Sequence, residues 1–310
     1  MSNLLGEEIN EVNEGIVIPL SEPFDMNTNL GYLKRSTNEC MFKVENDAIR
    51  RVIVIGKTRT LVQIEYSDNK QLNVHFIGGA QPTKTWQCAE IVNYIQEWFD
   101  LDNDLFPFYE MANADPLLKT TIKEFYGLRL IGIPDLFEAL CWGVLGQQIN
   151  LGFAYTLKRQ FVEKFGESIE SDGKNYWIFP SYEQIAQLTP NDFADIKMTV
   201  KKSEYIIGIA KLMASGELSK QKLIEAGSFK EVEKSLIKIR GIGPWTANYV
   251  LMRCLRFPNA FPIEDVGLIN AIKTLLKMDR KPTKEEILAL SIPWDKWESY
   301  ATFYLWRVLY

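Results

Sequence analysis

The chain has 310 residues, 46% hydrophobic and 24% charged, with a formal net charge of −5. That length allows two or three domains, and that balance excludes disordered and fibrous classes. No run approaches the roughly 18 charge-free apolar residues of a spanning helix, and the acidic opening MSNLLGEEINEVNEG has no long apolar core, so a cytoplasmic protein is expected, with no membrane partner.

Residues 50–77 alternate and are rich in β-branched types: RRVIVIG, TLVQIEYS and QLNVHFIG, joined by turn-like GKTR and SDNK. These are antiparallel hairpin signals. From about Thr83 the period changes to 3.6, which predicts helices near 84–100, 116–127, 134–148, 151–166, 181–188, 201–215, 229–239, 244–255, 266–277, 283–290 and 294–309. SDGKNYWIFPS, 171–181, has the composition of a loop and is expected to separate two lobes. The fold class is therefore α+β: an N-terminal antiparallel β-sheet domain with helices over 1–112, then a two-lobed all-α body over 113–310.

The four cysteines, Cys40, Cys88, Cys141 and Cys254, form no CxxC pair, which argues against structural zinc and a disulfide framework. The single histidine, His75, lies in a strand-like run, so a Ser-His-Asp triad and a zinc-activated water are both improbable. Carboxylates remain as the natural general bases, with no metal for catalysis.

The most informative stretch is LIKIRGIGPWTANYVLMRCLRFPNAFPIED, 236–265. It reads as helix, glycine hairpin, helix and then a carboxylate, with the helix-hairpin-helix at 229–256 and the carboxylate segment at 262–267. Gly241 and Gly243 bracket Ile242 in a turn where glycine tolerates positive φ, and Pro244 suits a first helical position. Bare amides at such a helix start form a site for a backbone phosphate of DNA, and the grip is assigned to Arg240, Gly241, Ile242, Gly243 and Thr246. A lone GxGP more often only joins two helices. The charge distribution supports the grip: residues 195–256 carry twelve basic against six acidic side chains, while Glu7, Glu8, Glu11, Glu14 and Glu22 gather acid near the start. Asp265 is the leading catalytic carboxylate, with Glu264 as its neighbour; the ordinary role for Asp265 is a helix N-cap, worth about 1 kcal/mol.

GIGPWTA followed by Pro-x-x-Asp at 262–265 resembles the helix-hairpin-helix, Gly/Pro-Asp superfamily of DNA glycosylases, and in detail its DNA-3-methyladenine glycosylase II branch. PFDMNTNLGYL (23–33), WFDLDNDLFPFY (98–109), GLRLIGIPDLFEALCWGVLGQQI (127–149) and SYATFYLWR (299–307) extend the resemblance from about residue 16 to 310. It implies a base pocket lined by Trp245, Tyr249, Trp306 and Tyr32, a wedge into the DNA at Gln147 or Gln148, and Asp265 acting on the sugar. It also implies a monovalent cation on carbonyls near 236–241. With tryptophan at 245, where strand-cutting members of the superfamily carry a lysine, the resemblance implies a monofunctional enzyme without cofactor. No cysteine follows Cys254, so no iron–sulfur cluster is expected. The implied partner is double-stranded DNA containing damaged bases, alkylated purines above all, with association with the nucleoid and abasic-site repair enzymes acting downstream. Two alternatives remain: a glycosylase for oxidised purine, and a non-catalytic DNA-binding helix-hairpin-helix protein.

Overall fold

The structure is a computed structural model that describes residues 15–309; Glu7, Glu8, Glu11 and Glu14 lie outside the described residues. The N-terminal part is a five-stranded antiparallel sheet in the order β1-β5-β4-β3-β2, with β1 at Ile16–Pro19, a first helix α1 at Met26–Leu33, and strands β2 (Phe42–Glu45), β3 (Ala48–Ile55), β4 (Thr58–Ser67) and β5 (Gln71–Gly79). β3, β4 and β5 are the hairpins expected from the alternation. β1, β2 and α1 went unrecognised because each is short; α1 is held by Asp25, which accepts the Thr28 N–H at 2.7 Å as its N-cap. His75 lies on β5 with Glu65 at 3.6 Å.

Helices α2 (Thr85–Phe99), α3 (Phe106–Ala114), α4 (Leu118–Glu124), α5 (Leu136–Leu145) and α6 (Leu151–Phe165) follow. The expected boundary at 112/113 falls inside α3, whose Tyr109 hydroxyl bonds Tyr304 near the other end of the chain at 2.6 Å. The segment 171–181 was expected as a loop between lobes, and here the structure corrects the sequence. Two strands, β6 (Glu167–Ser171) and β7 (Lys174–Ile178), form a hairpin turned by Asp172 and Gly173, both at positive φ. It straps the sheet to the helical body: Tyr176 packs with Val52 and Leu61, and Lys174 pairs with Glu45 at 2.7 Å.

The body continues with α7 (Tyr182–Ile185), α8 (Val200–Ala214), α9 (Lys220–Glu225), α10 (Phe229–Ile237), α11 (Pro244–Arg253), α12 (Val266–Leu275), α13 (Lys284–Leu290) and α14 (Glu298–Trp306). α5 runs through its centre with every residue buried. One hydrophobic core joins the two parts, from Ile49 and Val62 of the sheet to Phe137 and Phe303 of the body.

A buried ionic chain crosses the same boundary. Arg51 of β3 reaches Glu138 of α5 at 2.9 Å, Lys158 of α6 reaches the other oxygen of Glu138 at 2.9 Å, and Lys158 also meets Glu39 at 3.3 Å. The side chains of Arg51 and Glu138 are only 5% and 3% exposed, so their charges are stabilised by each other and not by water.

Candidate active site

The helix-hairpin-helix forms as expected from α10 and α11. Gly241 has φ +95, and a Cβ there would fall inside the ring of Tyr205 on α8, so both conformation and space demand glycine. Gly243 differs from expectation. Its φ of −89 needs no glycine, but it is the N-cap of α11 and nothing approaches within 4 Å of where its Cβ would stand. Open space therefore lies beside Gly243, near Arg240, which is 77% exposed and pairs with Glu204 at 2.8 Å.

Two of the residues assigned to the grip, Ile242 and Thr246, are buried. The Ile242 N–H already donates to the Ile239 carbonyl at 3.0 Å, so neither its side chain nor its amide is free for a phosphate. Thr246 is buried too: its methyl packs where Gly143 of α5 leaves room, and its hydroxyl accepts the Gln147 amide at 3.1 Å. Gln147 donates again to the Gly241 carbonyl at 2.9 Å, so it pins the hairpin from behind. Gln148 is exposed at φ +58 on the loop tip.

Gly241→Ala should weaken DNA binding at least tenfold, measured by fluorescence anisotropy on undamaged duplex, because the hairpin must move off Tyr205 to accept a Cβ. Unchanged affinity would show that the turn is not part of the grip.

Asp265 begins α12, and its segment is fixed by several hydrogen bonds. Its N–H donates to the Pro262 carbonyl at 2.8 Å, closing the Pro-x-x-Asp turn. Asn248 of α11 accepts the Phe261 N–H at 2.9 Å while donating to Glu233, and Ser299 donates to the carbonyls of Phe257 and Ala260. The carboxylate then gathers three donors. Oδ1 accepts the Leu268 N–H at 2.8 Å, which is the N-cap, and the Trp306 indole N–H at 2.8 Å. Oδ2 accepts the Trp245 indole N–H at 3.0 Å. Gly267 makes this possible, since a Cβ there would stand 2.9 Å from Oδ1 and 3.1 Å from the Trp306 ring. Glu264 is exposed and faces Lys284 at 3.5 Å.

The expected aromatics divide into two layers. Trp245 and Trp306 are half-buried and both stack on the buried Tyr249 ring, at centroid distances of 5.6 and 6.2 Å. The Tyr249 hydroxyl accepts from Arg253 at 2.9 Å, and burial pushes its pKa up to about 12, so it stays neutral. Tyr32 lies one layer deeper, against Phe303 at 4.6 Å and under the Arg35 guanidinium at 3.7 Å. The half-exposed faces available to a flat ring are therefore those of the two indoles.

No group of three or more His, Cys, Asp or Glu able to hold a metal occurs among the described residues. Of the carbonyls at 236–241, those of Leu236, Ile239 and Gly241 already accept hydrogen bonds. Each of these keeps a second lone pair, so the turn remains compatible with a monovalent cation.

Residues 141–296 match the model of the HhH-GPD superfamily base excision DNA repair protein, and residues 16–140 match the 8-oxoguanine DNA glycosylase N-terminal domain. The DNA-3-methyladenine glycosylase of Bacillus subtilis is 70% identical over 97% of this chain and 99% of its own length. Among solved structures, a 3-methyladenine DNA-glycosylase from Archaeoglobus fulgidus superposes with a TM-score of 0.78 at 22% identity, covering 94% of this chain and 97% of its own. An 8-oxoguanine glycosylase/lyase of Clostridium acetobutylicum, in complex with duplex DNA, gives 0.74 at 20% identity over 97% and 95%. The two solved structures show the fold; the Bacillus relative, at its identity and coverage, speaks to the chemistry.

Proposed function

The chain belongs to the HhH-GPD superfamily of base excision DNA repair proteins, and on that premise we propose that it is a monofunctional DNA-3-methyladenine glycosylase, hydrolysing the N-glycosidic bond of alkylated purines in duplex DNA. The observation that carries this reading is the pair of indole N–H bonds to Asp265. They place the two half-exposed aromatic faces and the one carboxylate of the site within a single hydrogen-bonded unit.

That unit suits the chemistry. An extruded base loses its stacking at a cost of about a few kcal/mol, and the indole faces restore part of it. Methylation at N3 or N7 makes a purine cationic, and a cation over an indole gains about 0.5–2 kcal/mol. An indole whose N–H donates to a carboxylate is richer in electrons, so the same bonds that hold Asp265 strengthen the attraction for the base. As the base leaves, positive charge builds on the sugar. The Asp265 carboxylate stabilises that charge and orients or deprotonates the attacking water. A cationic base is already a good leaving group and needs little acid catalysis.

Trp245 stands where a strand-cutting enzyme would carry a nucleophilic amine, and indole cannot form a Schiff base. The product is an abasic site, which a separate class of abasic-site enzyme must process. We assign entry into the duplex to Gln148, a reading supported by its exposure at the loop tip and by the commitment of Gln147 to the hairpin. The glycosylase for oxidised purine is disfavoured because a neutral oxidised base gains stacking from the indole faces but no cation–π attraction.

The test is a parallel assay of free base released from duplexes carrying 7-methylguanine, 3-methyladenine or 8-oxoguanine. Release of the methylated bases with 8-oxoguanine left in place is the expected result, and the reverse preference would replace this reading with the oxidised-purine one.

A further inference from the structure

Behind Tyr249 a crevice of about 30 Å³, room for a water or two, runs between the N-terminal part and α6, touching Tyr32, Trp142, Tyr155, Glu39 and Lys158. One side chain fills the place where a flat ring would fit. The Arg35 guanidinium stacks 3.7 Å over the Tyr32 ring and lies 5.6 Å from the Tyr155 ring, while Tyr155 in turn packs on Trp142 at 4.8 Å. A guanidinium is a planar, delocalised cation, and so is an N-methylated purine.

The other arginines of this crevice are anchored. Arg51 pairs with Glu138, and Arg253 donates to the Ile131 carbonyl at 2.6 Å and to the Tyr249 hydroxyl. Among the described residues Arg35 makes one side-chain hydrogen bond, to the Tyr32 carbonyl at 3.0 Å, and no ion pair. It is also only partly buried. Stacking holds it, and stacking by a better partner can displace it.

We propose that Arg35 is a specificity-determining gate, occupying an inner aromatic subsite between Tyr32 and Tyr155 that takes a planar cation. The proposal rests on the glycosylase reading and adds to it a second stacking site deeper than the indole pair. The carboxylates of the crevice are already paired, Glu39 with Lys158 and Glu138 with Arg51 and Lys158, so ring stacking and not a free carboxylate attracts the planar cation. Entry of an extruded cationic ring requires Arg35 to swing outward, so only a base that stacks at least as well as a guanidinium opens the slot.

The experiment uses the full chain with Arg35→Ala, read in two ways. Release of 7-methylguanine from duplex should rise in kcat/KM by roughly 2- to 30-fold, the cation–π attraction that no longer has to be broken. Independently, methylguanidinium chloride should raise the melting temperature of Arg35→Ala relative to sodium chloride at equal ionic strength, with no such shift in wild type, because the free cation refills the slot. Should Arg35→Ala melt early, Arg35→Lys, which keeps the charge and loses the plane, takes its place in both measurements. An equal methylguanidinium response in both proteins overturns the subsite, and an unchanged or lowered kcat/KM overturns the gate. If wild type releases no methylated base at all, the glycosylase reading fails, and the melting shift still decides whether the slot binds a planar cation.

Discussion

Asp265→Asn should fold with nearly the wild-type melting temperature and release 7-methylguanine on the order of 10²–10³ times more slowly. The two halves of this expectation come from different properties of one side chain. As an N-cap, asparagine is about as good as aspartate, and its carbonyl oxygen can still accept the Leu268 N–H that the Asp265 carboxylate accepts at 2.8 Å. As a charged group it is no substitute. The amide supplies no negative charge to the developing sugar cation, and its NH₂ would oppose one of the two indole N–H donors that now converge on the carboxylate. Single-turnover release, measured beside a thermal melt, separates the two roles. A loss under about tenfold, against the handful of kcal/mol that an electrostatic role supplies, would remove Asp265 from the chemistry and leave it a cap.

The second large effect is on stability. Glu138→Ala should cost about 3–5 kcal/mol, read from urea unfolding near neutral pH, because it leaves Arg51 and part of the Lys158 charge buried without their carboxylate. Arg51 is the more exposed to this loss: its Nε already lacks a partner, whereas Lys158 retains Glu39. Burial alone would push the Glu138 carboxyl up, but the Lys158 and Arg51 charges outweigh it and hold the group below its usual 4.5. A carboxyl lowered in the folded state contributes stability that is whole above the unfolded value and is lost as pH falls through the folded one. The difference between wild type and Glu138→Gln should therefore hold steady down to 4.5 and shrink below it. A gap that ignores acid, or one under about 1 kcal/mol of the kind surface pairs give, would mean that water reaches the network.

Local patterns carried much of this in the sequence. Gly241, Pro244 and Asp265 sit within one short stretch whose turn chemistry and capping are local, so both the hairpin and the cap on α12 were legible. The same is true of β3, β4 and β5, which run for eight to ten residues in which β-branched types recur. The hairpin of β6 and β7 carried a signal too, since Asp172-Gly173 is a favoured two-residue turn. It was masked by polar strands, ESIES and KNYWI, whose apolar Ile169 and Tyr176 pack on the distant β3–β4 surface.

What stayed hidden was set by contacts across long separations. Nothing local in Gly267 says that Trp306 must pass beside it, and nothing in Thr246 says that Gln147, far back in the chain, will take its hydroxyl. Asn248 reads as an ordinary polar helix residue until Phe261 and Glu233 are seen to meet on it. The layering of the aromatics was likewise invisible: Tyr32 and Trp306 match the pocket pattern equally well as letters, yet one is covered by Arg35 and the other lies half open beside the carboxylate.

The central claim is that one carboxylate and two indoles hydrolyse the glycosidic bond with no amine nucleophile. It is tested most directly by following a single-turnover reaction on a 7-methylguanine duplex for free base, strand breaks and borohydride-trapped protein–DNA adduct together. One free base is expected for each abasic site, with strands that break only on heating in alkali and no trapped adduct. Strand breaks that keep pace with base release, or an adduct trapped by borohydride, would contradict it and place a lysine in the chemistry.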